Sequence, residues 1–179
     1  MTMSRRPLRL IAVPASLAVA LLAACSQPSV PAAQATRPTV SDDQMLATIR
    51  AAGDKEKSAI DVNPLRDPGV AALQDAADGD LRTGKYDAAA TKLDQALKIS
   101  PDSPDLLQDR AELAIHQKDY PRAEQLAHRS WELGPKLGPL CARNWQTIVE
   151  LRQRAGDEAG AATATKSLTS CHVEGLQRY

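Results

Sequence analysis

The side chains able to do chemistry in this 179-residue chain are few: three cysteines (Cys25, Cys141, Cys171), three histidines (His116, His128, His172) and an acidic run of Asp105, Asp109 and Glu112. Paired carboxylates can act as general acid and base. On a helix, however, such a run reads more simply as a charged, exposed face, and His116 and His128 fall on predicted helices beside Gln and Arg. Cys141, Cys171 and His172 are one alternative metal set, but they lack a fourth ligand and any paired CxxC spacing. No GxSxG elbow, HExxH zinc motif, phosphate-binding glycine loop or Rossmann fingerprint occurs. The sequence therefore gives no enzyme, cofactor or small-molecule substrate, and the cysteines have to be accounted for without catalysis.

Composition limits the alternatives. The chain is 43% hydrophobic and 25% charged, that of a soluble globular protein of about one domain. Net charge is zero, but Arg5, Arg6 and Arg9 all precede Cys25; without them 19 basic residues face 22 acidic ones. A mildly acidic chain lacks the basic face that nucleic-acid binding requires. With two Trp, three Tyr and no Phe, the core must be built from aliphatic residues and many Ala.

Cys25 closes an uncharged run, Leu10 to Ala24, that follows the three arginines. Fifteen residues are too few for a membrane-spanning helix, which needs about 20. The segment reads as a signal peptide over residues 1–24. Leu22, Ala23 and Ala24 directly before Cys25 resemble the lipobox of bacterial lipoproteins, which implies lipid attachment at the Cys25 thiol, cleavage before it and acylation of the new N-terminus. Two or more acyl chains anchor a protein stably where one does not. An ordinary signal peptide cut after Ala24, or a short uncleaved anchor, is the alternative. Ser26 follows where Asp would signal inner-membrane retention in enteric bacteria, so the resemblance implies an outer-membrane lipoprotein facing the periplasm.

The elements that follow are a tether and a helical domain. Residues 25–40 contain three prolines and no apolar period, as expected of an extended linker. Residues 41–67 hold one short helix, opened by the capping-box pair Ser41 and Gln44 and expected to stop at Gly53, followed by an irregular stretch with Pro64 and Pro68. Residues 68–171 repeat: Ala77, Tyr86, Ala89 and Pro101 recur as Ala111, Tyr120, Ala123 and Pro135, 34 residues later. A third unit, with Trp145, Gly156, Ala161 and Leu168 in register, needs a four-residue insertion in the loop GPKLGPL.

These repeats resemble the tetratricopeptide repeat, a 34-residue helix-turn-helix unit. The resemblance implies an all-α fold, a short right-handed solenoid of about three hairpins. Its six helices are expected at Gly69–Thr83, Asp87–Ile99, Pro104–Gln117, Pro121–Leu133, Leu140–Ala155 and Glu158–Ser170. Lys118 stands where the pattern has Gly, and Glu158 where it has Tyr. Residues 172–179 form a C-terminal tail. With Cys25 assigned to lipid, Cys141 at the start of the fifth helix and Cys171 after the sixth become neighbours in an antiparallel hairpin. In an oxidising periplasm they are expected to form a disulfide.

In repeats of this kind the first helix of each unit lines a concave groove, and positions two, five and nine face into it. Here those positions read Ala71, Gln74, Asp78; Asp105, Gln108, Glu112; and Arg143, Gln146, Glu150. The expected ligand is an extended peptide or loop, hydrogen-bonded by the recurring Gln and carrying Lys or Arg to meet the acids. Gln and Glu as plain exposed helix formers are the alternative. The Lys and Asn groups with which chaperone-binding repeats clamp a carboxylate are missing. The implied function is that of a protein-protein adaptor held to the membrane by lipid. The other reading is an obligate subunit of an envelope machine such as a pilus, secretion channel or peptidoglycan-synthesis complex.

Overall fold

The computed structural model describes residues 40–56 and 66–172. The signal segment, Cys25, nearly all of the tether, part of the irregular linker and all but the first residue of the C-terminal tail lie outside the described residues. Among the described residues seven helices follow in order: α1 Asp42–Lys55, α2 Pro68–Arg82, α3 Tyr86–Ile99, α4 Pro104–His116, α5 Tyr120–Leu133, α6 Pro139–Arg154 and α7 Glu158–Thr169. No regular element among them is other than a helix, and none is long and apolar enough to cross a membrane.

Local chemistry sets the ends. Proline at the first turn opens α2, α4 and α6, where its missing N–H costs nothing. Asp67, Asp119 and Asp157 cap α2, α5 and α7 by accepting amide hydrogen bonds. Each hairpin turns in the same way. The amides of Lys85, Asp119 and Asp157 donate back to the carbonyls of Asp80, Ala114 and Arg152, all at 2.9 Å. The residue before each of those amides is left-handed: Gly84 (φ 73°), Lys118 (φ 60°) and Gly156 (φ 75°). Lys118 therefore adopts the glycine conformation without being glycine.

The helices pair as α2–α3, α4–α5 and α6–α7, and α3–α4 and α5–α6 stack the pairs. Ala77, Ala89, Ala96, Ala111, Ala123 and Ala127 are fully buried at these crossings, because only a small side chain lets the helices approach. The tyrosines fill equivalent slots between successive hairpins. Tyr86 stacks on His116 at 4.3 Å, and the guanidinium of Arg154 lies 4.3 Å over the ring of Tyr120. Glu158 can replace the third tyrosine because, among the described residues, no further hairpin follows α7.

Cys141 and Cys171 are joined, with their Cα atoms 5.6 Å apart, within the usual span of a disulfide. The bond ties the start of α6 to the end of α7, in a cluster with Ala52, Trp131, Trp145 and Leu168. It staples the pair whose last helix, α7, buries only Ala161 and Ala164. The alternative metal set is thereby dismantled: both sulfurs bond each other, and His172 Nδ1 lies 3.0 Å from Glu56.

One helix departs from expectation. Gly53 does not stop α1, which runs through it to Lys55. Ser41 and Gln44 do form the capping box, each 3.2 Å from the other's backbone amide. Glycine in a helix costs only about 1 kcal/mol, and here it serves a close approach. A Cβ at Gly53 would lie 2.8 Å from Arg143 Cγ and 3.2 Å from the Pro139 carbonyl. The glycine marks where α1 touches α6.

Two stability measurements follow. Lys118→Gly removes the left-handed strain and should stabilise the fold by about 1 kcal/mol in urea unfolding; destabilisation would show that Lys118 makes up for its backbone elsewhere. Replacing both Cys141 and Cys171 by Ser should cost about 3.5 kcal/mol, the loop-closure value for a separation of 30 residues. Under oxidising conditions the wild-type chain should show neither thiol to a labelling reagent after denaturation, and labelling of either would refute the bond.

Candidate functional site

The first helices of the three hairpins, α2, α4 and α6, carry the groove positions. The groove they form is not empty. Helix α1 lies across α6 and α4, antiparallel to α6: Asp42 meets Arg154 at 3.3 Å, and Gly53 abuts Arg143 and Pro139 at the other end. Its Met45, Leu46 and Ile49 are buried in one cluster with Ala114, Ile115, Ala123 and Leu151. Burial of each of these large side chains contributes about 1.5–3 kcal/mol. The Tyr120 hydroxyl donates to Asp42 at 3.0 Å, and Arg154 Nη1 donates to the Val40 carbonyl at 3.0 Å. This clamp fixes the first described residues of the chain to the far end of α6.

Beneath α1 the groove positions bond to one another. Glu112, almost fully buried, accepts from Arg143 Nε at 2.9 Å and Nη2 at 2.6 Å, from Arg50 Nε at 3.1 Å and from Gln108 Nε2 at 3.2 Å. Arg143 Nη2 also donates to Asp109 at 3.0 Å. Gln74 Nε2 donates to Asp109 at 3.3 Å, and Gln74 Oε1 accepts from Arg66 at 2.9 Å. Arg66 reaches Asp105 at 3.5 Å. Five expected groove residues, Gln74, Asp105, Gln108, Glu112 and Arg143, thus belong to one hydrogen-bonded network with Arg50, Arg66 and Asp109. Gln146 and Glu150 stand apart from it, paired at 2.8 Å.

The expected row of free glutamines is corrected. Gln108 is 0% exposed, with Nε2 spent on Glu112 and Thr147, so it cannot face an extended peptide. Gln74 and Glu150 are buried as well. The reading of Asp109 and Glu112 as an exposed acidic face is corrected for Glu112, which the ninth repeat position places on the groove floor under α1, while Asp109 beside it is half-buried and pairs with the same Arg143. Sequence spacing does not single out Arg50 and Arg66. Nothing in it shows that the segments bearing them reach the groove, although the period of Met45, Ile49 and Ala52 does mark a face that must be covered.

Electrostatics follows the packing. Burial works against the charge of Arg143, but Glu112 and Asp109 more than reverse this and raise its pKa above the ordinary arginine value. Burial raises the Asp109 carboxyl against the pull of Arg143, and burial likewise raises Glu150. Burial lowers His116, opposed by Asp43.

What stays open is a cavity of about 310 Å³ between α1, α2, α4 and α6, lined by Arg50, Asp78, Arg82, Asp109, Glu112 and Arg143 among others. Of the expected groove residues, Asp78 is the exposed one here. Glu112→Gln should cost about 3 kcal/mol in urea unfolding, the low end for breaking a buried pair because Arg143 retains Asp109. Asp78→Asn, on the open wall, should stay within about 0.5 kcal/mol. Equal small effects would mean that α1 does not bury Glu112 in solution.

Comparison with known proteins agrees with this geometry. The tetratricopeptide repeat family profile matches residues 80–142, spanning the turn of the first hairpin to the start of α6. Among solved structures, the globular C-terminal domain of P. aeruginosa LpoP is similar, with a TM-score of 0.55 and 31% sequence identity over 59% of this chain and 99% of that one. No curated protein sequence matches the chain. Three helical hairpins with small residues at the crossings, a tyrosine between stacked pairs and a profile match across two repeats have one conclusion: the helical domain has a tetratricopeptide-repeat fold.

Proposed function

We propose that this chain is a lipid-anchored adaptor of the bacterial cell envelope, tethered by lipid on Cys25, facing the periplasm from the outer membrane, and binding a protein partner through its concave side. The observation that carries this reading is the open cavity beside α2, whose charged walls belong to a fold used for protein interaction. Its residues suit a protein segment. Asp78 offers a carboxylate and Arg82 a guanidinium, both exposed, with the Arg143 network fixed behind them. Of the expected partner-facing set, Gln74, Asp78, Asp105, Gln108, Glu112, Arg143, Gln146 and Glu150, Asp78 is the exposed member that meets a partner directly, and the buried and half-buried members hold the groove's shape.

The anchor rests on the lipobox-like residues before Cys25 and the Pro-containing linker after it. Support also comes from the similar LpoP domain, which is described as globular and C-terminal, the arrangement proposed here. Tethering raises the local concentration of a partner on the same membrane, so modest affinity suffices.

The test is photo-crosslinking in the native host from a probe at Asp78, with one at Gln95 on the exposed side of α3 as control. The Asp78 probe should trap a discrete envelope protein and the Gln95 probe none. Cys25→Ser should move the chain out of the membrane fraction. Adducts from Gln95 alone, or an unchanged membrane fraction for Cys25→Ser, would contradict the reading.

A further inference from the structure

Helix α1 sits in the groove as a ligand would. The pairs α2–α3, α4–α5 and α6–α7 and their stacking contacts are made between other helices, and the disulfide joins α6 to α7 rather than to α1. It rests on α4 and α6, meets Tyr120 at one end and carries Ala52 into the cluster around the Cys141–Cys171 bond at the other, and its outward residues Ala47, Thr48 and Ala51 are exposed, so it forms a single layer over the groove floor. Its chemistry matches that floor side chain by side chain. Met45, Leu46 and Ile49 meet apolar residues, Arg50 meets the Glu112 carboxylate, and Gly53 fits where a Cβ would strike Arg143.

We infer that the α4–α6 face is a receptor for an amphipathic helix, of which α1 is the occupant in cis. A partner displaces α1 with a helix of the same pattern: two adjacent large apolar residues, a third three positions after the second, a cation immediately following, and glycine three positions further on. This specifies the ligand of the adaptor proposed above and rests on that reading. The charge of Glu112 selects the cation, and the side chain of Arg143 selects the glycine. A helix that met only the apolar requirement would leave Glu112 with one fewer cationic partner.

The inference is tested with the whole chain and a fluorescein-labelled peptide of residues 40–56. Ile49→Asp and Arg50→Glu each weaken α1 in cis, the second without touching a buried apolar side chain. By anisotropy the peptide should bind at least tenfold more tightly to both variants than to the wild-type chain, and a peptide carrying Gly53→Leu should bind none of them. Equal or absent binding to variants whose α2–α7 helices remain protected in hydrogen exchange would overturn the inference. Loss of α2–α7 protection in both variants would also overturn it, since the groove would then require α1 to exist. Dimerisation of the variants without a gain in peptide affinity would assign the groove to a second copy and overturn it too. Crosslinking from Asp78 does not require release of α1, so its success alongside failure here would retain the adaptor and discard the helical ligand.

Discussion

Arg143 is the pivot of the molecule's concave side. From α6 it bridges Glu112 and Asp109 on α4, and its side chain forms the surface against which Gly53 of α1 packs. A buried ion pair is seldom a net source of stability compared with apolar packing, but breaking one leaves a charge without its counter-ion. That asymmetry makes the pair a specificity device. With Arg143 in place, the second and third hairpins must stack so that α4 and α6 face each other across the groove, and α1 must present its glycine where it does. A side chain at residue 53 and the observed Arg143 position exclude one another.

The same backbone plan is met by different chemistry at each repeat. The slot between the first two hairpins holds the Tyr86–His116 stack, and the next holds Tyr120 under Arg154. The second slot does more, because Tyr120 and Arg154 also fix Asp42 and Val40 at the start of α1. A repeat contact has thus become the attachment point of the N-terminal helix. Among the described residues no further pair follows the last hairpin, the tyrosine is gone, and the Cys141–Cys171 bond supplies closure where α7 has little apolar surface to offer.

Much of this is legible in the sequence for a physical reason. Repeat spacing fixes helix ends through prolines, capping aspartates and left-handed turns, all local features. The expected and observed boundaries of α2 to α7 accordingly differ by one residue at most. The proximity of Cys141 and Cys171 follows from hairpin geometry alone. The course of α1 is not legible. Its capping box and apolar face announce a helix, but which surface it covers depends on contacts with residues 62 to 114 positions away. Local propensity makes Gly53 a stop, whereas its role is tertiary. The glutamines mislead for the same reason. Gln74, Gln108 and Gln146 occupy equivalent repeat positions but differ in burial: Gln108 is enclosed beside Glu112 and Thr147 and Gln74 beside Arg66 and Asp109, whereas Gln146 pairs with Glu150 and stays half-buried.

Everything on the concave side follows from α1 being seated against α6 with its glycine at Arg143. Solution NMR of the oxidised, isotope-labelled chain tests that seating directly. Nuclear Overhauser contacts are expected between the Gly53 Hα protons and the Arg143 side chain, with helical chemical shifts over residues 42–55. Absence of those contacts, with random-coil shifts across the segment, would contradict it.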